Sequence, residues 1–184
     1  MNVQLATPPA DYAARVAAIH RELGIPADYA ARHGLRLRPE ATQLAEIGVD
    51  IFGRAQQLAP HAAGPWQAMR AQALQDDIVL LVVSAFRGLD YQRDLIARKL
   101  ASGQLLADIL KVNAAPGYSE HHTGCALDLT AAGYAPLETD FDTTDAFAWL
   151  QQHAKHFGFL LSYPRDNPHG IAYEPWHWAC LRDS

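Results

Sequence analysis

Residues Ser119 to Asp128 read Ser-Glu-His-His-Thr-Gly-Cys-Ala-Leu-Asp, and Glu174 to His177 read Glu-Pro-Trp-His. The first stretch sets His121 and Asp128 on either side of Gly124, and His122 ligates equally well on spacing alone. Two imidazoles, one aspartate and a spare glutamate make up the inventory of a catalytic zinc site. Three protein ligands leave one coordination position for water, and an acid/base stands beside it.

The spacing within each stretch constrains the backbone. In an uninterrupted strand, residues an odd number apart point to opposite faces, which would separate His121 from Asp128. Gly124 can supply the turn or bulge that re-aims one of them. Glu174 and His177 present the same difficulty, and Pro175 between them cannot donate to a sheet ladder. A local bend there is expected, letting His177 reach a metal while Glu174 reaches the water. His20, His33, His61, His153, His156 and His169 have no such context and read as core or surface histidines.

The elements that must position these groups follow from periodicity and punctuation. Asp11 to Leu23 reads as a short helix, Pro26 to His33 is ambiguous, and Pro39 to Gln57 reads as a helix, with Leu44, Ile47, Ile51 and Leu58 at helical spacing. A further helix is expected over Pro65 to Leu74. These make residues 1–76 a helical N-terminal region covering a sheet in the same domain, ahead of a catalytic core over 77–184. Ile78 to Val83 has the pattern of a strand buried on both faces. Asp90 opens a helix to Leu100, and the apolar piece Leu105 to Val112 leads into a turn-rich loop, Asn113 to Gly117. Ala126 to Thr130 is a second strand. Thr143 or Thr144 caps a helix that closes near Gly158. Phe159 to Tyr163 and Ile171 to Trp178 form an antiparallel hairpin with a long loop.

Composition sets the outer limits. The chain has 184 residues, 49% hydrophobic and 19% charged, with a formal net charge of −5, ordinary for a globular domain. No basic patch is dense enough to neutralise a nucleic-acid backbone, and no apolar run approaches a membrane span. Met1 to Ala10 lacks the basic and apolar regions of a secretory leader, so a cytoplasmic location is expected. Cys125 and Cys180 could form one bridge but are no disulfide framework.

Taken together, Ser119-x-His121-x-x-Gly124-x-Ala126-x-Asp128 followed by Glu174-x-x-His177 resembles the zinc-dependent D-alanyl-D-alanine carboxypeptidase family, the vancomycin-resistance type with its related dipeptidases and L,D-carboxypeptidases. Ser84, Arg87 and Gln92 match its upstream signature, and the resemblance covers about Ile78 to Ala179. It implies an α+β fold in which a small antiparallel sheet cradles the zinc with helices outside. It further implies His121, Asp128 and His177 as ligands of one Zn2+, Glu174 as general base, and Arg87, Ser119 and Gln92 as substrate-binding residues. Arg87, at the exit of a strand, suits a bidentate grip on a substrate carboxylate, or stabilises the transition state. A surface ion pair with Asp90 is its structural alternative. Tyr163, Tyr173 and Trp176 are candidates to line the pocket. The substrate implied is a peptidoglycan stem peptide or muropeptide, cut at D-Ala-D-Ala by a zinc-activated water. The L,D-carboxypeptidase and dipeptidase activities of relatives are alternatives, and a non-catalytic peptidoglycan-binding module is the rival of another class. Cys125 departs from many relatives, and its thiolate is a possible further ligand.

Overall fold

The computed structural model describes residues 10–180, so the reading of Met1 to Ala10 as lacking a leader lies almost wholly outside the described residues. The architecture is α+β, with six α-helices and two small antiparallel sheets among the described residues. Helix α1, Ala10–Leu23, and the single turn α2, Tyr29–Arg32, precede a hairpin of β1, Ala45–Val49, and β2, Ala55–Leu58. Helix α3, Pro60–Gln75, leads to β3, Leu81–Ser84, and then α4, Leu89–Ala101, and α5, Leu106–Val112. A 3-10 turn, Glu120–Thr123, opens into β4, Ala126–Thr130. After α6, Asp145–His153, come β5, Phe159–Leu161, and β6, His177–Cys180.

The larger sheet has the order β3-β4-β6-β5, all neighbours antiparallel. The expected hairpin of the last two strands is there, with β6 confined to His177–Cys180, because Pro175 and Trp176 form a turn ahead of it. Strand β4 is buried at every residue. Strand β3 lies at the edge of the sheet, yet Val82 and Val83, which point to opposite faces, are both buried, as the sequence suggests; Val79, ahead of the strand, is 52% exposed.

The larger correction concerns Pro39 to Gln57, which forms the β1–β2 hairpin and no helix. Asp50 dictates the turn. Its Oδ1 accepts the amide N–H groups of Phe52 and Arg54 at 2.8 and 3.0 Å, and its Oδ2 accepts Arg54 Nε and Gln56 Nε2 at 2.6 and 2.8 Å. A carboxylate with four donors fixes a turn more firmly than helical propensity can oppose. Thr144 caps α6 as expected, accepting the Phe147 amide at 3.1 Å.

The buried apolar residues fall into two clusters. One lies under α3, the sheet and α6, centred on Trp66, Leu127, Leu150 and Phe159. The other joins α1, α2, α4 and α5 through Val16, Tyr29, Leu89 and Ile96. No helix among the described residues is long and apolar enough to cross a membrane.

Candidate metal centre

Strands β4 and β6 place Asp128 directly opposite His177, so their side chains share one face of the sheet. His121 arrives from the 3-10 turn and not from a strand. Gly124 ends that turn in the left-handed region at φ +66°, where a Cβ would lie 2.7 Å from the Ala59 amide nitrogen. The odd spacing is thus resolved by a helix-to-strand junction, with the glycine required both by conformation and by close approach. At the other stretch, the His177 amide donates to the Glu174 carbonyl at 3.1 Å. This closes a turn through Pro175 and Trp176, the expected bend.

The donor atoms converge. One ligand atom each from His121, Asp128 and His177 lies within 4.8 Å of the others, and all three residues are buried. His121 donates Nδ1–H to the Ala85 carbonyl, leaving the Nε2 lone pair 3.2 Å from Asp128 Oδ2. Burial, reinforced by the nearby Arg87 charge, pushes the His121 imidazole down to about 4, so it is neutral. An imidazole lone pair and a carboxylate lone pair then face each other in the protein interior, and His121 Nε2 has no hydrogen-bond donor. A cation is what such a pair of acceptors calls for.

His177 turns Nδ1 to Asp128 Oδ1 at 3.0 Å and Nε2 to Glu120 Oε2 at 3.0 Å. Burial alone would push this imidazolium down, but the two carboxylates overcome it and hold its pKa at about 10. Asp128 stays well below the ordinary carboxylate range, because His121, His177 and Arg87 outweigh its burial.

Glu120 is the residue that sequence reasoning missed. It orients His177 through Nε2, and Arg38 Nη2 holds it in turn at 3.3 Å. Burial opposes its charge, but His177, Ser162 and Arg38 bring its pKa down to about 2. A carboxylate that fixes the remote nitrogen of a ligating histidine is the usual outer layer of a zinc site. Its position beside His121 was the only sequence signal. His122, by contrast, donates Nδ1–H to the Arg87 carbonyl at 2.6 Å and accepts the Gly117 amide at Nε2 at 3.0 Å. Both nitrogens are occupied, which leaves His122 a structural role.

Glu174 is buried beside this cluster, and burial pushes its pKa up to about 7 against the pull of His177. Arg87 Nη2 stands 3.6 Å from Asp128 Oδ2, while its buried Nε has no hydrogen-bond partner. It does not pair with Asp90, which meets Arg15 and Arg93 instead. Gln92 donates to the Ala114 carbonyl at 2.9 Å, fixing the loop after α5, and its buried Oε1 lacks a donor. Ser119 is buried at the start of the 3-10 turn. Of the three candidate pocket aromatics, Tyr163 lies at the centre, its ring 4.9 Å from that of His177. Trp176 packs in the core, and Tyr173 bonds Asp142 under Arg165. Cys125 does not join this cluster; it lies with His61 and Cys180.

A small α+β domain that gathers two imidazoles and a carboxylate on one strand pair, with a buried glutamate and an arginine alongside, has the make-up of a metallopeptidase centre. Residues 55–181 match the family model described as VanY, D-alanyl-D-alanine carboxypeptidase, and the chain belongs to that family. A bifunctional D-Ala-D-Ala dipeptidase and carboxypeptidase of Enterococcus gallinarum, VanXYC, is 35% identical over 130 residues, which cover 66% of this chain and 65% of that protein. The chain covers 46% and 43% of two other curated relatives, so it spans only part of their length. The structure of the LD-carboxypeptidase LdcB aligns with a TM-score of 0.69 at 27% identity, over 79% of this chain and 71% of that one. A VanY D,D-pentapeptidase variant in complex with Zn(II) aligns at a TM-score of 0.56 and 23% identity, over 83% and 82% of the two chains.

Proposed function

We propose that this protein is a zinc carboxypeptidase that hydrolyses the terminal D-Ala-D-Ala bond of peptidoglycan stem peptides. The observation that carries the reading is the unprotonated contact between His121 Nε2 and Asp128 Oδ2, 3.2 Å apart and buried. His121 Nε2, Asp128 and His177 Nδ1 would hold the ion, an arrangement that suits the nitrogen and oxygen donors of a catalytic zinc site. Bound there, zinc supplies Lewis acidity that lowers the pKa of water to about 7 and polarises a carbonyl.

The remaining chemistry falls to the chain's own groups. Glu174 takes the proton from the attacking water and returns it to the leaving amine. Its burial supports this role, because a carboxylate raised toward neutrality is a better base than an exposed one. Arg87 carries a guanidinium edge with an uncommitted Nε, and would grip the free carboxylate that defines an exopeptidase substrate. The Ser119 hydroxyl would complete that contact, while Gln92 Oε1, an acceptor, would take an N–H of the substrate. Glu120 holds His177 in the orientation that directs Nδ1 to the ion.

A second reading, removal of one D-Ala from a tetrapeptide, is supported by the likeness to an LD-carboxypeptidase at 27% identity. Incubating the zinc-loaded protein with pentapeptide, tetrapeptide and D-Ala-D-Ala, with mass spectrometric readout, separates the readings. Loss of a single alanine from the pentapeptide supports the D,D reading and loss from the tetrapeptide the L,D reading. Cleavage of the free dipeptide identifies a dipeptidase. Binding without turnover on all three makes it a non-catalytic module. The cytoplasm, where precursors and recycled muropeptides are met, remains the proposed location.

A further inference from the structure

A second donor set lies at the opposite end of the same strand pair. His61 Nε2, Cys125 Sγ and Cys180 Sγ all fall within 4.8 Å of one another, and His61 Nε2 is 3.1 Å from Cys125 Sγ. Each residue is held by the backbone. The Cys180 amide donates to the Cys125 carbonyl at 2.7 Å, continuing the β4–β6 ladder, while the Ala59 amide donates to Gly124 at 2.9 Å and so docks the start of α3. His61 lies in the first turn of α3, a 16-residue helix whose positive end favours thiolates nearby. No disulfide joins Cys125 to Cys180.

We propose that His61, Cys125 and Cys180 form a second metal site, specific for a thiophilic ion of the Zn2+ class and separate from the His121/Asp128/His177 centre. In a tetrahedral zinc site with Zn–S near 2.3 Å and Zn–N near 2.0 Å, donor atoms stand roughly 3.3–3.8 Å apart, a spacing this cluster reaches with small side-chain adjustments. Cys125 is buried, Cys180 is half-buried and His61 is exposed. An ion can therefore enter from solvent, with water as fourth ligand. Binding takes both thiolates, releases their protons and leaves every bond in the chain intact. The ion ties α3 to β4 and β6, three ladder positions from the Asp128–His177 pair, so the site is structural.

Cobalt substitution tests this under reducing conditions, because only a site with cysteine ligands gives a thiolate-to-Co2+ charge-transfer absorption. The full chain loaded with Co2+ should show the band. Cys180→Ser and His61→Gln, both at solvent-accessible positions, should lose most of it and bind one ion fewer by elemental analysis. His177→Ala should keep the band while losing its other ion, so failure of the catalytic reading and failure of this one are distinguishable. Zinc should also raise the unfolding temperature of His177→Ala and leave that of a His177→Ala/Cys180→Ser double variant unchanged. No charge-transfer band in the wild-type chain, or equal metal content in wild type and Cys180→Ser, overturns the proposal.

Discussion

The two ends of the β4–β6 pair carry donor sets of opposite character. At the Asp128–His177 end, nitrogen and oxygen donors are buried, with Glu174 and Arg87 against them. At the Cys125–Cys180 end, two sulfurs and an imidazole sit partly open to solvent. The comparison separates holding a metal from using one. A ladder rung that points two side chains the same way suffices to hold an ion. Chemistry needs, in addition, burial that tunes a base and a cation that orients a substrate. Only the first end has a buried glutamate and an arginine beside its donors, and it is tied to the N-terminal segment through Glu120 and Arg38.

The largest break in this comparison is His177→Ala. It should remove zinc from the buried end by more than the ~10–100-fold typical of an outer-layer change, abolishing hydrolysis. Equal zinc affinity by competition with a chelator would assign the ligands wrongly. Glu120→Gln should weaken zinc by about 10–100-fold while leaving the fold intact, because Nε2 of His177 loses its anionic partner. Unchanged affinity would reduce Glu120 to a surface ion pair with Arg38.

Gly124→Ala should destabilise the protein by about 1–3 kcal/mol in urea unfolding, since it strains the left-handed residue and pushes a methyl onto Ala59. A neutral result would mean that the junction relaxes freely. The smallest effect sharpens the comparison through pH. With Glu174 as the proposed base, kcat should rise with pH through its pKa. That value is about 7 without metal, and the ion's charge can only lower it, so the acid limb lies at or below about 7. Stability has its own acid limb at Asp50, whose burial is overcome by Arg54 and Phe52 and whose pKa lies below the ordinary 3.8. A depressed carboxylate stabilises the fold above its ordinary value, and that contribution is lost as pH falls through the folded value. Asp50→Asn should flatten this part of the pH–stability curve.

Much of the site could be read from the chain because its demands are local. Gly124 and Pro175 each announced an interruption, and each interruption is where the backbone turns to bring donors together. The Thr144 cap and the β4 run were equally local. What failed was a contest between periods. Leu44, Ile47, Ile51 and Leu58 follow a helical repeat, but only Ile47 and Leu58 are buried, while Ile51 sits in the turn that Asp50 and Gly53 build. That Asp-x-x-Gly signal outweighs the apolar spacing. Glu120 was missed for a different reason. Its contact is with a residue 57 positions away in the chain, His177, and no local pattern reports a contact that only the assembled sheet creates.

Glu174→Ala, loaded with zinc and offered a stem pentapeptide, tests the central claim most directly. Zinc content by elemental analysis should match the wild type, because Glu174 is not among the donors that converge. Release of D-alanine should fall by about 100- to 10,000-fold, the usual contribution of a positioned base. Zinc retained together with wild-type release of D-alanine would contradict the account.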